Sequence, residues 1–396
     1  MTTDKTACDA YIDSLMPELW DMARYIHANP EVAFTEHKAC RAQCDYLRKA
    51  GFEVTEGVAG LETAYTARFE GAPGGPHIAV VSEYDSLPGI GHGCGHNLIC
   101  TTALATGMAV KRYLEESGTP GTLSVIGTPA EESGGGKIIM LEHGVWDGID
   151  AVFFMHPTSD LTRLAGACMS SMRLHITFTG KSAHAGSHPE NGINALSAAN
   201  LYFTATGFLR QQFRGDMRLS GIIVDGGRET GLIPDRAEVK GSISSFSLSE
   251  LEKNTEKVRH CAEGAAHALG CEVEFEAKPG YQGRVPNTIL SDVCRAELED
   301  MGEPLLPGMP FDYGGEDLGN VSRIIPICNP YVTIFADHKI SNHTEQFRDL
   351  ANSEAGYRCI QVGGKCMARS MIDVLEDPSI IDAAKKELSE RMAKED

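Results

Sequence analysis

Apolar residues recur at helical spacing from 10 to 28 (Ile12, Leu15, Met16, Leu19, Met22, Ile26). The pattern stops before Asn29-Pro30, because the residue ahead of a proline is driven out of the α region. A second helix is predicted over 36–50, closed by Gly51 as its C-terminal glycine. β-rich runs follow at 52–58, 62–70 and 77–83. After them the pattern predicts a helix over 97–116, a strand over 122–128, a helix ending near Gly144 and a short apolar strand over 151–155 with His156-Pro157 at its tip. Strands alternating with helices predict an open α/β sheet, which holds its ligands beyond the carboxyl ends of the strands. Chemically distinctive residues sit at three such ends, after 78–82, 122–128 and 151–155.

The texture then changes. Residues 169–179 alternate like a half-buried strand and 193–214 form a long amphipathic helix. Strands are predicted at 217–225 and 236–245, a helix at 248–269 and a strand at 272–276. This βαββαβ order is a self-contained two-layer unit of about 115 residues. α/β material resumes after Pro286, with a helix over 287–301, a polar turn at 312–317, a strand over 331–335 and a helix over 350–372. A charged helix over 379–393 is expected at the periphery. The chain thus reads as an α/β protein: an open mixed sheet with helices on both faces, built from 1–167 and 286–396 and interrupted by a two-layer α+β domain over 168–285.

A length of 396 residues suits two domains better than one core. The net charge of −20 argues against nucleic acid or an anionic membrane as partner, since phosphate binding needs clustered Lys and Arg. No apolar run is long enough to span a bilayer, and the first residues lack the basic and apolar regions of a secretory signal. Twelve cysteines are scattered without a framework spacing, so most are expected to be reduced, buried thiols in a cytoplasmic protein.

The densest chemistry is Gly91-His-Gly-Cys94-Gly-His96-Asn97, between a strand and a helix. Cys-x-His suits a soft metal, although the same loop could be a sharp turn with a buried thiol and imidazole. Collected from strand tips, Asp85, Cys94, His96, Glu131, Glu132, His156 and, far downstream, His343 form a candidate set for two metals. Adjacent glutamates suit a division of labour, one coordinating metal and its neighbour taking a proton from a metal-activated water. Asp85 could orient an imidazole ligand from behind. A Glu-Glu pair is also an ordinary helix-start feature, and His92 reads as loop architecture. In the inserted unit, His184 within Lys181-Ser-Ala-His-Ala-Gly186 could donate to a developing oxyanion or be a locally bonded turn residue.

These motifs, in order, resemble the dinuclear zinc metallopeptidases and amidohydrolases that include aminoacylase, glutamate carboxypeptidase and indole-acetyl-amino-acid hydrolase. The nearest likeness is to the branch of aminobenzoyl-glutamate hydrolase and β-alanyl dipeptidase-like proteins. The matching text runs through His27-Ala-Asn-Pro-Glu31, Glu83-Tyr-Asp-Ser-Leu-Pro, Gly91–Asn97, Pro129-Ala-Glu-Glu132, Met155-His-Pro157, Lys181-Ser-Ala-His-Ala185, Ile233-Pro-Asp235, Asp317-Leu-Gly-Asn-Val-Ser322 and His343-Thr-x-x-Phe347. The resemblance implies Cys94, His96, Glu132, His156 and His343 as ligands of two divalent ions, zinc first and manganese or cobalt as alternatives, with Cys94 bridging. It implies Glu131 as general base, Asp85 as support and His184 as a lid histidine that reaches a partner subunit's site. The inserted unit would be a lid and dimerisation domain, making the chain a homodimer.

The function implied is metal-dependent hydrolysis of a small N-acyl amino acid, aminobenzoyl-type amide or dipeptide. Deamination of an aromatic amine, or a non-catalytic metal-binding paralogue, are the alternatives. Two departures bear on substrate. Gly231-Leu232 stands where the family often has asparagine. Gly241-Ser-Ile-Ser-Ser-Phe246 lacks an arginine that helps hold a substrate carboxylate, a task serine cannot perform. Arg210, Arg228 or Arg236 could replace it, or the substrate presents no carboxylate there.

Overall fold

The computed structural model describes residues 5–334 and 338–394, and the chain divides into two compact units. The first comprises the described residues of 1–167, 284–312 and 316–394, and the second 168–283 with 313–315.

The first unit is built on a six-stranded mixed sheet in the order Glu53–Glu56, Tyr65–Glu70, Pro120–Thr128, Ala72–Glu83, Ala151–Phe153, Ile327–Cys328. The central strand Ala72–Glu83 runs parallel to both neighbours, and only the strands on the Glu53–Glu56 side are antiparallel. Its inner residues (Ile78, Ala79, Val80, Val81) are all buried, as expected of a parallel strand covered on both faces. The helix His96–Ser117 is apolar around most of its circumference because it lies between Thr6–Ala28 and Glu354–Glu376. A separate three-stranded sheet, His156–Thr158, Pro330–Thr333 and Arg163–Leu164, continues past the tip of Ala151–Phe153.

The second unit has the predicted βαββαβ order: Ser170–Thr179, Ala195–Leu209, Arg218–Asp225, Arg236–Ser245, Leu248–Leu269 and Glu272–Pro279. Its four strands form one antiparallel sheet with Arg218–Asp225 at one edge. Both helices pack their alanine-rich faces (Ala195, Ala198, Ala199, Ala262, Ala265, Ala266) into one core with Leu174, Ile176 and Phe178.

Several expectations need correction. The helix over 193–214 begins later and ends earlier, because the Asn194 side chain caps it through Ser197 N–H and the last turn tightens at 210–212. The helix over 350–372 is two helices, Glu345–Ala351 and Glu354–Glu376, since Ser353 caps the second through Ala355 N–H. The strand over 151–155 is Ala151–Phe153, and His156, expected at its tip, starts a new strand, His156–Thr158. The strand over 331–335 is Pro330–Thr333, and residue 335 lies outside the described residues. Nor is the last helix, Ser379–Met392, merely peripheral. Ile381, Ala384 and Leu388 are buried, and Glu387 accepts from Thr288 and Ile289 N–H at the start of Thr288–Asp300, where a carboxylate complements the helix dipole.

All twelve cysteines are free thiols and nine of them are buried. Among the described residues no helix is long and apolar enough to cross a membrane.

Candidate metal centre

Strand register builds the site. Glu83 pairs opposite Thr128, and Val80 opposite Phe153, so three parallel strands end side by side. Their exits deliver Asp85, the Glu131-Glu132 pair and His156 to one end of the sheet. The loop 91–97 then folds over that end. Gly95 has φ +80, and a Cβ there would lie 2.7 Å from Pro157 Cγ, so only glycine lets the chain turn into the helix that opens with His96. His343 N–H donates to Gly93 O at 2.8 Å and ties the downstream loop onto this one. Two non-glycine residues with left-handed backbone flank the cluster, Ala130 at φ 60 and His343 at φ 61. Such strain persists where surrounding structure over-determines it, commonly at functional sites.

Six of the eight candidate residues from the sequence converge here. Cys94, His96 and His156 offer donor atoms within 4.8 Å of one another, as do Cys94, Glu132 and His343, so Cys94 is common to both triads. His96, Glu131 and Glu132 form a third such group. Cys94 Sγ lies 3.4 Å from His156 Nε2, and His343 Nε2 lies 3.3 Å from Glu132 Oε2. Asp85, the seventh, stands behind them: Oδ1 bonds His96 Nδ1 at 2.9 Å, and Oδ2 accepts from Glu132 N–H at 3.0 Å. One carboxylate therefore turns His96 Nε2 toward the cluster and fixes the Glu132 backbone. His156 Nδ1 is held by Pro157 O at 2.7 Å, leaving its Nε2 inward. Tyr331 stacks on this ring at 5.0 Å.

The donor set fits divalent ions. His96 Nε2 and Glu132 Oε1 are buried without a hydrogen-bond partner, a costly state that ligation would relieve. Burial raises the Cys94 thiol to about 12 and lowers His156 to about 3. Burial also opposes charge on His96, but Asp85 outweighs it and holds the ring well above the usual histidine range. Glu131 is raised well above the usual carboxyl range, first by burial and then by Glu83, Asp317 and Glu132. So much crowded negative charge calls for cations.

His92 stays out of the cluster, its Nε2 at 3.1 Å from Ile26 O. His184, the eighth candidate, belongs to the second unit, where its Nδ1 accepts from Gly186 and Ser187 N–H at 3.1 Å each. Of the three arginines considered for a substrate carboxylate, Arg210 donates to Leu219 O and Arg236 pairs with Asp225 and Glu238. Arg228 is exposed and makes no ion pair among the described residues.

Reasoning from sequence missed a buried layer beneath the site. Lys137, Glu83 and Asp317 form a fully buried ionic triad. Glu36 accepts from Phe34 and Ala130 N–H at 2.9 Å each and from Thr63 Oγ1 at 2.8 Å, so it pins the strained residue before Glu131. The one slight signal was Lys137, a cation directly ahead of the apolar run Ile138-Ile-Met-Leu141, and it names no partner. Burial pushes Glu36 up to about 7, against an ordinary 4.5. A pKa raised on folding favours the fold below the unfolded value, and that advantage is lost as pH rises through the folded one. Glu36→Gln, which cannot ionise, is expected to gain about 1–3 kcal/mol relative to wild type between pH 5 and pH 8. Parallel thermal melts of both chains across that range would show it, and an unchanged difference would mean Glu36 does not titrate there.

The fold, the donor cluster and the family match and relatives that follow place the chain among metal-dependent hydrolases of amide bonds, acting on C–N. Residues 77–362 match the profile of Peptidase family M20/M25/M40, and the chain belongs to that family. It is 33% identical over 407 aligned positions to the Xaa-Arg dipeptidase of Mus musculus, covering 97% of this chain and 92% of that protein. It is 30% identical to the N-acetylcysteine deacetylase of Bacillus subtilis, covering 78% of this chain and 86% of the relative. Among solved structures it is similar to a dinuclear metal-binding peptidase of the M20 family from Bacillus subtilis, with TM-score 0.74 and 24% identity over 92% of this chain and 99% of that one.

Proposed function

We propose that this chain uses two divalent ions to hydrolyse the amide of a small N-acyl amino acid, aminobenzoyl-type amide or dipeptide. The observation that carries this reading is the pair of donor triads sharing Cys94, with buried, unpartnered His96 Nε2 and Glu132 Oε1 facing the same cluster. Cys94, His96 and His156 would hold one ion, and Cys94, Glu132 and His343 the other. Thiolate and imidazole favour zinc, with manganese and cobalt accommodated by the same set. Once bound, the ions supply the Lewis acidity that polarises an amide carbonyl and lowers the pKa of an attacking water.

Glu131 takes the proton from that water and passes it to the leaving nitrogen. Asp85 holds the His96 tautomer and orientation. His184 donates to the oxyanion that develops on the carbonyl oxygen. We assign 168–285 as a lid and dimerisation domain, so that His184 serves the partner's site. Its edge strand Arg218–Asp225 supports this, exposing Ile222 and Val224 beside unpaired backbone. Sedimentation equilibrium reads this directly, and a monomer removes the trans role of His184. Arg228 is the remaining candidate for a substrate carboxylate. Free thiols throughout agree with a cytoplasmic location.

The test is a panel of dipeptides, N-acyl amino acids, aminobenzoyl-glutamate and aromatic amines, scored by product mass. Cleavage of a dipeptide, an N-acyl amino acid or aminobenzoyl-glutamate into both halves is the expected result. Ammonia release from an aromatic amine with every amide left intact would replace the reading with a deaminase.

A further inference from the structure

Cys40 and Cys44 stand one turn apart on the helix His37–Lys49, so their side chains leave the same face. Both are buried, and their sulfurs are 3.9 Å apart. Among the described residues each thiol has only the other as a hydrogen-bond partner. Glu56 closes the edge strand Glu53–Glu56, and its exposed carboxylate brings an oxygen within 4.8 Å of both sulfurs. This donor group shares no residue with the centre around Cys94.

The spacing is that of a metal-bound thiolate pair. Two sulfurs each about 2.3 Å from one tetrahedral zinc are separated by roughly 3.8 Å. Another close pair, Cys294 and Cys366, is 3.1 Å apart and belongs to no group with a third donor among the described residues. The charges also balance. Two thiolates and a carboxylate are neutralised by one Zn2+ together with the guanidinium of Arg48, which pairs with Glu56 Oε1. A carboxylate has lone pairs enough to accept from a guanidinium and ligate an ion at once.

We propose that Cys40, Cys44 and Glu56 form a separate site for Zn2+ that fastens the edge strand Glu53–Glu56 to the helix His37–Lys49. The strand pairs on one side only, with Tyr65–Glu70, so a link to the helix secures the open edge of the sheet. Two thiolates make the site soft, which selects zinc over the harder manganese. Ligation releases the two thiol protons and involves no change of oxidation state. Water takes the fourth position on the exposed side of Glu56. With three protein ligands and one open face, the ion exchanges with free zinc and is read at fixed free Zn2+ rather than after gel filtration.

The experiment counts ions rather than turnover. The full-length chain is stripped with a chelator, kept reduced with a phosphine, and dialysed to equilibrium against fixed free Zn2+ or Mn2+. Cys40→Ala/Cys44→Ala is expected to hold one zinc fewer per chain than wild type, and the same amount of manganese. The same difference of one zinc is expected when both chains also carry Cys94→Ala, so the result stands or falls separately from the two-ion reading. Glu56→Ala should weaken this zinc by at least the roughly 10–100-fold that a lost outer partner costs. Glu56 is exposed, so that variant carries the test alone should the double variant fail to fold by circular dichroism. A folded double variant with the zinc content of wild type overturns the proposal and leaves the thiols as packing groups. If only Glu56→Ala can be read, an unchanged zinc affinity overturns it equally.

Discussion

A Glu131→Gln chain is expected to keep two divalent ions and lose about 10²–10⁴-fold in kcat, with KM little altered. Glutamine preserves the size and the hydrogen-bonding oxygen of the side chain but cannot accept a proton. The structure makes this the informative substitution, because Glu131 falls in a donor group with His96 and Glu132 and could be read as a ligand instead. The two readings separate on metal content. A ligand converted to an amide should cost an ion, whereas a base converted to an amide should cost only turnover. Inductively coupled plasma analysis beside steady-state kinetics decides between them, and full activity in the variant would remove Glu131 from the mechanism altogether. Burial and the neighbouring Glu83, Asp317 and Glu132 carboxylates raise Glu131 in the ion-free protein, so the cations it would work beside are also what favours its basic form.

What the sequence disclosed follows from where its signals are local. The α/β alternation of the first unit and the βαββαβ order of the second are patterns of hydrophobic period, and both appear in the structure. Cys94, His96, Glu131, Glu132 and His156 could be gathered before any coordinates because each follows a strand end, and parallel strands put such ends together. His343 joined that set as a far-downstream candidate with no strand end to place it, since it arrives from about 190 residues beyond His156 on a loop tied to Gly93 by one backbone hydrogen bond. The layer beneath was not legible. Glu83 looks like the end of a strand, Lys137 like a helix residue and Glu36 like a helix start. Only the folded register places Lys137 between Glu83 and Asp317, or Glu36 under Ala130. Boundaries failed where a side-chain cap decided them, at Asn194 and Ser353, because capping depends on a local rotamer that periodicity does not encode.

Cys94→Ala is expected to have the broadest effect of any single change, because its sulfur is shared by both donor triads. Removing it takes one ligand from each ion at once. The affinity loss should exceed the roughly 100-fold that a lost outer partner costs, leaving less than one ion per chain after gel filtration. Cys94→Asp separates ligation from packing, since it restores an anionic donor at nearly the same place and should recover part of the metal and part of the turnover. It should also separate chemistry from fold under oxidation. Burial keeps the ion-free Cys94 thiol protonated, with a pKa near 12, so it is a poor nucleophile until metal draws it into the thiolate form. Wild type loaded with metal should lose activity to peroxide as the sulfur is oxidised, and Cys94→Asp should not, although its other eleven thiols remain. A Cys94→Ala chain that still holds two ions would show the sulfur to be a packing group, and the two triads would then have to be redrawn around His96, Glu131 and Glu132.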